Sequence, residues 1–176
     1  MKKVQAPEVK LIAIDQIDPN PENKKIFSMD DIDHLAKIID EEGYSTPIEV
    51  VVKGDRYEVV SGHRRLEAMK KLGQEFIPCY IAKNKTETEK TRALISSNIT
   101  TRQLTPLEIA KAIDLYKQIL KTEGNKYKGR ERTQIAEYFG ITESSVYRHE
   151  CLLKLIPELQ AYANKPLFPY SCLQKA

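Results

Sequence analysis

The chain has 176 residues, 41% hydrophobic and 30% charged, with a formal net charge of +3. That length supports one large domain or two small ones without disulfide or metal staples, and no apolar run approaches the roughly 18 residues that cross a bilayer. A transmembrane role is excluded on that ground, and no membrane partner is expected. No secretory signal is expected, because Lys2 and Lys3 are followed by no apolar stretch, so the expected location is cytoplasmic. Cys79, Cys151 and Cys172 stand in no metal-binding spacing.

The β-branched run Val9–Ile14 predicts a first strand, closed by the turn-rich Asp18-Pro19-Asn20-Pro21. Ser28 with Asp31 predicts a capping box, and Ile32, Leu35, Ala36, Ile38 and Ile39 recur at helical spacing until Gly43. Ile48–Lys53 and Tyr57–Val60 flank Gly54-Asp55 and predict a hairpin. A helix over about Arg64–Leu72 then ends at Gly73, and a strand follows over about Phe76–Ala82. After residue 85 the strand signals stop. Thr105-Pro106-Leu107-Glu108 predicts a capped helix running to about Lys121, and Thr122–Arg130 predicts a flexible basic loop.

Charge is unevenly spread, with 16 basic against 17 acidic residues over 1–99 and 10 against 7 over 100–155. A basic second half suits a nucleic-acid-binding module, and equally a solvated surface of mixed sign. Residues 132–155 carry the helix-turn-helix pattern: Ile135, Ala136 and Phe139 form an apolar face, Gly140 permits the turn, Ile141 plugs the junction, and Thr142 caps a second helix with Val146 and Leu153 facing inward. Ser144, Ser145, Tyr147 and Arg148 are expected outward, toward the base edges and phosphates of a major groove, with Lys126, Lys128, Arg130 and Arg132 as flanking cations. An ordinary helical hairpin is the alternative.

Gly62-His63-Arg64-Arg65 ends a strand and opens a helix. Cations are unfavourable beside the positive end of a helix dipole, by about 0.3 to 1 kcal/mol each, unless an anion joins them. Exposed N–H groups, a glycine and two guanidinium forks would form a phosphate cradle. Two solvated arginines fit the spacing as well. His63 could titrate near neutrality beside the phosphate, the alternative being a polar surface residue. The polar run Ser96–Arg102 reads by itself as an interhelical loop, in which Asn98 offers an amide oxygen to a hard cation and Arg102 a guanidinium to a phosphate.

These three segments, in this order, resemble the ParB family of DNA-partition proteins over about residues 9–163. SGHRRLEAMKKLG is similar to the family's GERRxRA box, SNITTRQLTPLEIA to its ENxxR box, and Asn20-Pro21, Gly43 and Pro47-Ile48 to its opening segment. The resemblance implies an α+β protein: a small mixed-sheet ParB/sulfiredoxin-like domain over residues 1–97, then an all-α DNA-binding domain over 98–176. It implies CTP with Mg2+ as cofactors, double-stranded DNA and a ParA-type ATPase as partners, a homodimer that CTP closes into a sliding clamp, and a nucleoid-associated location. Gly62, Arg64 and Arg65 keep the phosphate-binding part of the first box, with His63 in place of its glutamate. Asn98 keeps the magnesium-binding asparagine. Ser97 stands where a glutamate is usual and Thr101 where an arginine is usual, with Arg102 one position later. Hydrolysis is therefore expected to be weak or absent, at most a slow CTPase. The family's carboxy-terminal dimerisation segment has no counterpart, so a fragment of a longer protein is expected.

A sulfiredoxin-like reductase is disfavoured, since that chemistry needs a cysteine where Gly62 stands, and no acid is placed as a kinase base. His63, Ser97 and Thr101 keep open a ligand-free helix-turn-helix regulator of a plasmid, phage or conjugative element.

Overall fold

The period-2 and period-3.6 segments assemble into two units. The computed structural model describes residues 8–44, 46–83, 85–124 and 130–163. Five strands, β1 (Val9–Ala13), β2 (Ile17–Asp18), β3 (Ile48–Lys53), β4 (Arg56–Ser61) and β5 (Phe76–Ile81), form one sheet in the order β1-β5-β3-β4-β2. The β3–β4 hairpin and the β1–β5 pair are antiparallel, whereas β3–β5 and β2–β4 are parallel. The parallel β3–β5 pair requires a crossover, and α3 (His63–Lys71), which follows β4, provides it. Its Leu66 and Met69 close the core over Ile12, Val50, Val59, Ile77 and Cys79. α2 (Ile32–Glu42) lays Ile32 and Ala36 against Ala68 of α3.

Two expectations at helix starts fail for identifiable reasons. Pro19-Asn20-Pro21 was expected as a turn but starts α1 (Pro21–Ile26): Asn20 Oδ1 accepts from the Glu22 N–H at 2.9 Å, and Pro21, at the first helical position, sacrifices no hydrogen bond. The Ser28/Asp31 capping box does not form. Ser28 Oγ instead accepts from the Asp30 N–H at 3.0 Å, while Asp31 enters α2 at a φ of 59°, a region that aspartate tolerates better than most residues.

The chain divides into compact units Met1–Leu94 and Ile95–Ala176, and α4 (Glu87–Thr101) runs through the dividing point. Ser96–Thr101 is therefore helical, contrary to the interhelical loop expected. Thr100 and Thr101 donate their hydroxyls back to the Ser96 and Ser97 carbonyls, so polar residues are accommodated without ending the helix. In the second unit α5 (Pro106–Thr122) has the full capping box, with Glu108 accepting from the Thr105 N–H at 2.8 Å. α6 (Glu131–Phe139), α7 (Glu143–Leu152) and α8 (Pro157–Tyr162) follow. Tyr116 of α5 stacks on Tyr138 of α6 with centroids 4.2 Å apart, and Ala110, Leu152 and Ala163 form an apolar cluster. Among the described residues no helix is long and apolar enough to cross a membrane.

Candidate functional site

Gly62 turns the chain from β4 into α3 at a φ of 101°. A Cβ there would lie 2.6 Å from Ile48 Cγ2, so glycine is demanded by the approach of β3 as well as by the backbone. α3 begins without a capping side chain and without an acid in its first turn. Its first helical bond runs from the Leu66 N–H to the Gly62 carbonyl, leaving the N–H groups of His63, Arg64 and Arg65 without helical acceptors.

The two arginines are already partly compensated. Arg64 Nη2 donates to the Asp30 carbonyl at 2.9 Å, and Arg65 Nη1 donates to the Thr46 carbonyl and, at 2.9 Å, to the Pro47 carbonyl. Carbonyl dipoles thus supply part of the negative potential that the sequence assigned to an anion. Arg64 Nε is buried and has no partner, so one donor of that guanidinium remains unused. Tyr44, which the sequence did not single out, packs on the core, and its hydroxyl pKa is pushed up to about 12 by burial, against the opposing charge of Arg65.

His63 is not the surface residue expected. Only 6% of it is exposed, and its Nε2 accepts from the Asn20 N–H at 3.2 Å. Asn20 Nδ2 donates in turn to Glu58 Oε1 at 3.3 Å, and the buried Glu58 carboxylate meets Lys53 and Lys90. Burial pushes the His63 pKa down to about 4, so the ring is neutral and structural at pH 7.

Asn98 and Arg102 belong to the second unit. Asn98 Oδ1 accepts from Arg102 Nε at 3.3 Å, and Arg102 Nη2 donates to Glu108 Oε1 at 2.7 Å. This set does not fit a divalent cation: the amide oxygen faces a guanidinium, and the neighbouring Thr101 hydroxyl donates to the helix backbone. Among the described residues no group of three or more His, Cys, Asp or Glu could hold a metal.

The turn between α6 and α7 follows the pattern expected. Gly140 has a φ of 65°, and Thr142 Oγ1 accepts from the Ser145 N–H at 3.2 Å. Ile135, Ala136, Phe139 and Val146 are buried at the junction. Ser144 is exposed, as is Tyr147, at 52%. Ser145 and Arg148 are half-buried and joined to each other, Arg148 Nη2 donating to Ser145 Oγ at 2.7 Å. His149 is buried, with Nδ1 2.7 Å from the Ser145 carbonyl. Arg130 is exposed at the start of α6, while Lys126 and Lys128 lie outside the described residues.

Residues 1–99 match the family model described as the ParB N-terminal domain. A probable chromosome-partitioning protein ParB from Campylobacter jejuni is 34% identical over 146 residues, covering 81% of this chain and 52% of that protein. A nucleoid occlusion protein from Listeria monocytogenes is 33% identical over 164 residues, covering 90% and 53%. The chain spans about half the length of the curated relatives it matches. The C-terminally truncated chromosome-partitioning protein ParB from Caulobacter crescentus, complexed to the centromeric parS site, shares the fold with a TM-score of 0.58 at 20% identity, covering 94% of this chain and 89% of that one.

Proposed function

Since the chain belongs to the ParB family, we propose that it is a sequence-specific DNA-binding partition protein with a CTP-responsive amino-terminal unit. The observation that carries this reading is the amino-terminal turn of α7, set by the left-handed Gly140 and capped by Thr142, with Ser144 and Tyr147 exposed to solvent. Short hydroxyls, a ring and one guanidinium suit a major groove, and Arg130 at the start of α6 suits the phosphate backbone. The Caulobacter relative of the same fold is described on its parS site, which supports the same class of partner here.

Support for CTP comes from the family resemblance and from the amino end of α3. The N–H groups of His63, Arg64 and Arg65 lack helical acceptors, and Arg64 keeps an unpaired Nε–H. A triphosphate would supply acceptors for the backbone N–H groups. His63, in place of the family's glutamate, is buried with its Nε2 taken by the Asn20 N–H, so this chain's residues bind and orient phosphate but offer no accessible general base there, and hydrolysis is weak or absent. Asn98 and Arg102 fit the nucleotide-binding role by resemblance alone. The homodimer, the sliding clamp, the ParA-type ATPase partner and the cytoplasmic, nucleoid-associated location belong to the same reading. The carbonyl contacts of Arg64 and Arg65 favour a second one, a regulator of a plasmid, phage or conjugative element that needs no nucleotide.

Arg148→Ala tests the DNA reading. On duplexes that the unaltered protein selects from a random pool, the variant is expected to lose about 1 to 3 kcal/mol of affinity, while binding to random duplex stays nearly constant. Unchanged footprints would show that α7 is not the reader.

A further inference from the structure

Arg132 lies in the first turn of α6, where its position suggests a phosphate contact. Its guanidinium is engaged elsewhere: Nη2 donates to Glu150 Oε2 at 3.2 Å, and Cζ stands 5.3 Å from the centroid of the Tyr147 ring, within cation–π range. Glu150 also accepts from Lys117 Nζ of α5 at 2.7 Å. Burial would raise the Glu150 pKa, but the hydrogen bonds and charges of Lys117 and Arg132 outweigh it and hold the carboxyl below its usual range. One carboxylate thus ties α7 to both α5 and α6. Tyr147 and Glu150 are three residues apart on one side of α7, so the guanidinium that binds one also covers a face of the other.

Tyr147 is accordingly an exposed ring held in a fixed place. The Cys151 thiol one turn on interacts with its hydroxyl, which keeps that hydroxyl's pKa above the ordinary phenol value. One face of the ring carries the Arg132 guanidinium, which leaves the other apolar face for a partner, and the apolar feature of base edges in a major groove is the C5-methyl of thymine. We infer that Tyr147 determines specificity by contacting a thymine methyl group, and that Arg132 and Glu150 are positioning residues that fix the ring for this contact. The inference rests on the DNA reading of α7 proposed above.

The test uses the duplex that the unaltered protein enriches from a random pool, with each thymine replaced singly by uracil, which lacks only the methyl. The unaltered protein is expected to lose about threefold to fivefold in affinity at one position, the worth of one buried methyl. Tyr147→Phe should keep this discrimination and Tyr147→Ala should abolish it. Glu150→Gln and Arg132→Gln should reduce it, read as the ratio of affinities for the thymine and uracil duplexes, in which the effect of the altered net charge cancels. Tyr147 is exposed, so its variants stay folded even if those of Glu150 do not. Indifference of the unaltered protein at every thymine, or retained discrimination in Tyr147→Ala, overturns the inference while leaving the DNA reading intact. Failure to enrich any duplex overturns both, and is recognisable because it precedes the uracil series.

Discussion

Gly62→Ala is expected to destabilise the amino-terminal unit by roughly 2 to 5 kcal/mol, seen as an earlier urea midpoint with an unchanged slope. Two costs add. An L-residue held in the left-handed region costs about 1 to 2 kcal/mol, and here φ is 101°. The new Cβ would also lie 2.6 Å from Ile48 Cγ2 and 3.0 Å from Ile48 Cβ. Ile48 is fully buried in the sheet core, so it cannot swing away, and overpacking of this kind costs about 1 to 3 kcal/mol. Gly73→Ala separates the two costs: its φ is 66° but nothing lies within 4 Å of the added atom, so only the backbone cost applies. Equal destabilisation by the two substitutions would refute the close approach to β3. Because α3 starts at this glycine, a backbone that shifts to admit the methyl also displaces the Arg64 and Arg65 guanidiniums.

The free energy of unfolding should fall by up to about 3 kcal/mol as the pH drops from 7 to 4, largely through His63. Its folded pKa is about 4 because the ring is buried, against an ordinary 6.5. Between those values the unfolded chain takes up a proton that the folded chain refuses. The stabilisation is therefore complete above pH 6.5 and disappears as the pH falls toward 4. The gap corresponds to about 3 kcal/mol at about 1.4 per pH unit. His149, also lowered by burial, contributes with the same sign. His63→Gln isolates the first contribution, since it leaves an acceptor for the Asn20 N–H and removes the titration. Its unfolding free energy should vary much less over this range. Identical pH dependence in both proteins would contradict the buried, neutral ring.

Where a structural signal is local, the sequence already carries it. Gly54-Asp55 between two β-branched runs specifies the β3–β4 hairpin, Thr105-Pro106 with Glu108 specifies the start of α5, and Gly140 with Thr142 specifies the turn into α7. Signals shared by two structures are harder. Pro19-Asn20-Pro21 suits a turn and a helix start alike, and what decides it is the Asn20 side chain reaching the Glu22 N–H. α4 has no apolar stripe at Ser96–Thr101, and its hydroxyls return to its own carbonyls, so its continuation leaves no pattern.

The sites divide along the same line. Arg64 and Arg65 are identifiable from their place at a helix start, but their acceptors at Asp30, Thr46 and Pro47 come from distant loops. His63 is buried beside Asn20, 43 positions away, and Glu58 meets Lys90 of α4. Arg132 looks like a phosphate contact until Glu150, 18 positions later, is placed beside it. In each case an ionic or polar partner remote in sequence decides the role, and no spacing rule reaches that far.

Selection of bound fragments from random duplex DNA, run in parallel with and without CTP and Mg2+, tests the central claim most directly. One enriched sequence is expected, whose retention changes when the nucleotide is added. No enrichment over the starting pool in either arm would contradict the assignment of α7 as a reader of duplex DNA, and equal enrichment in both would remove the nucleotide from the account.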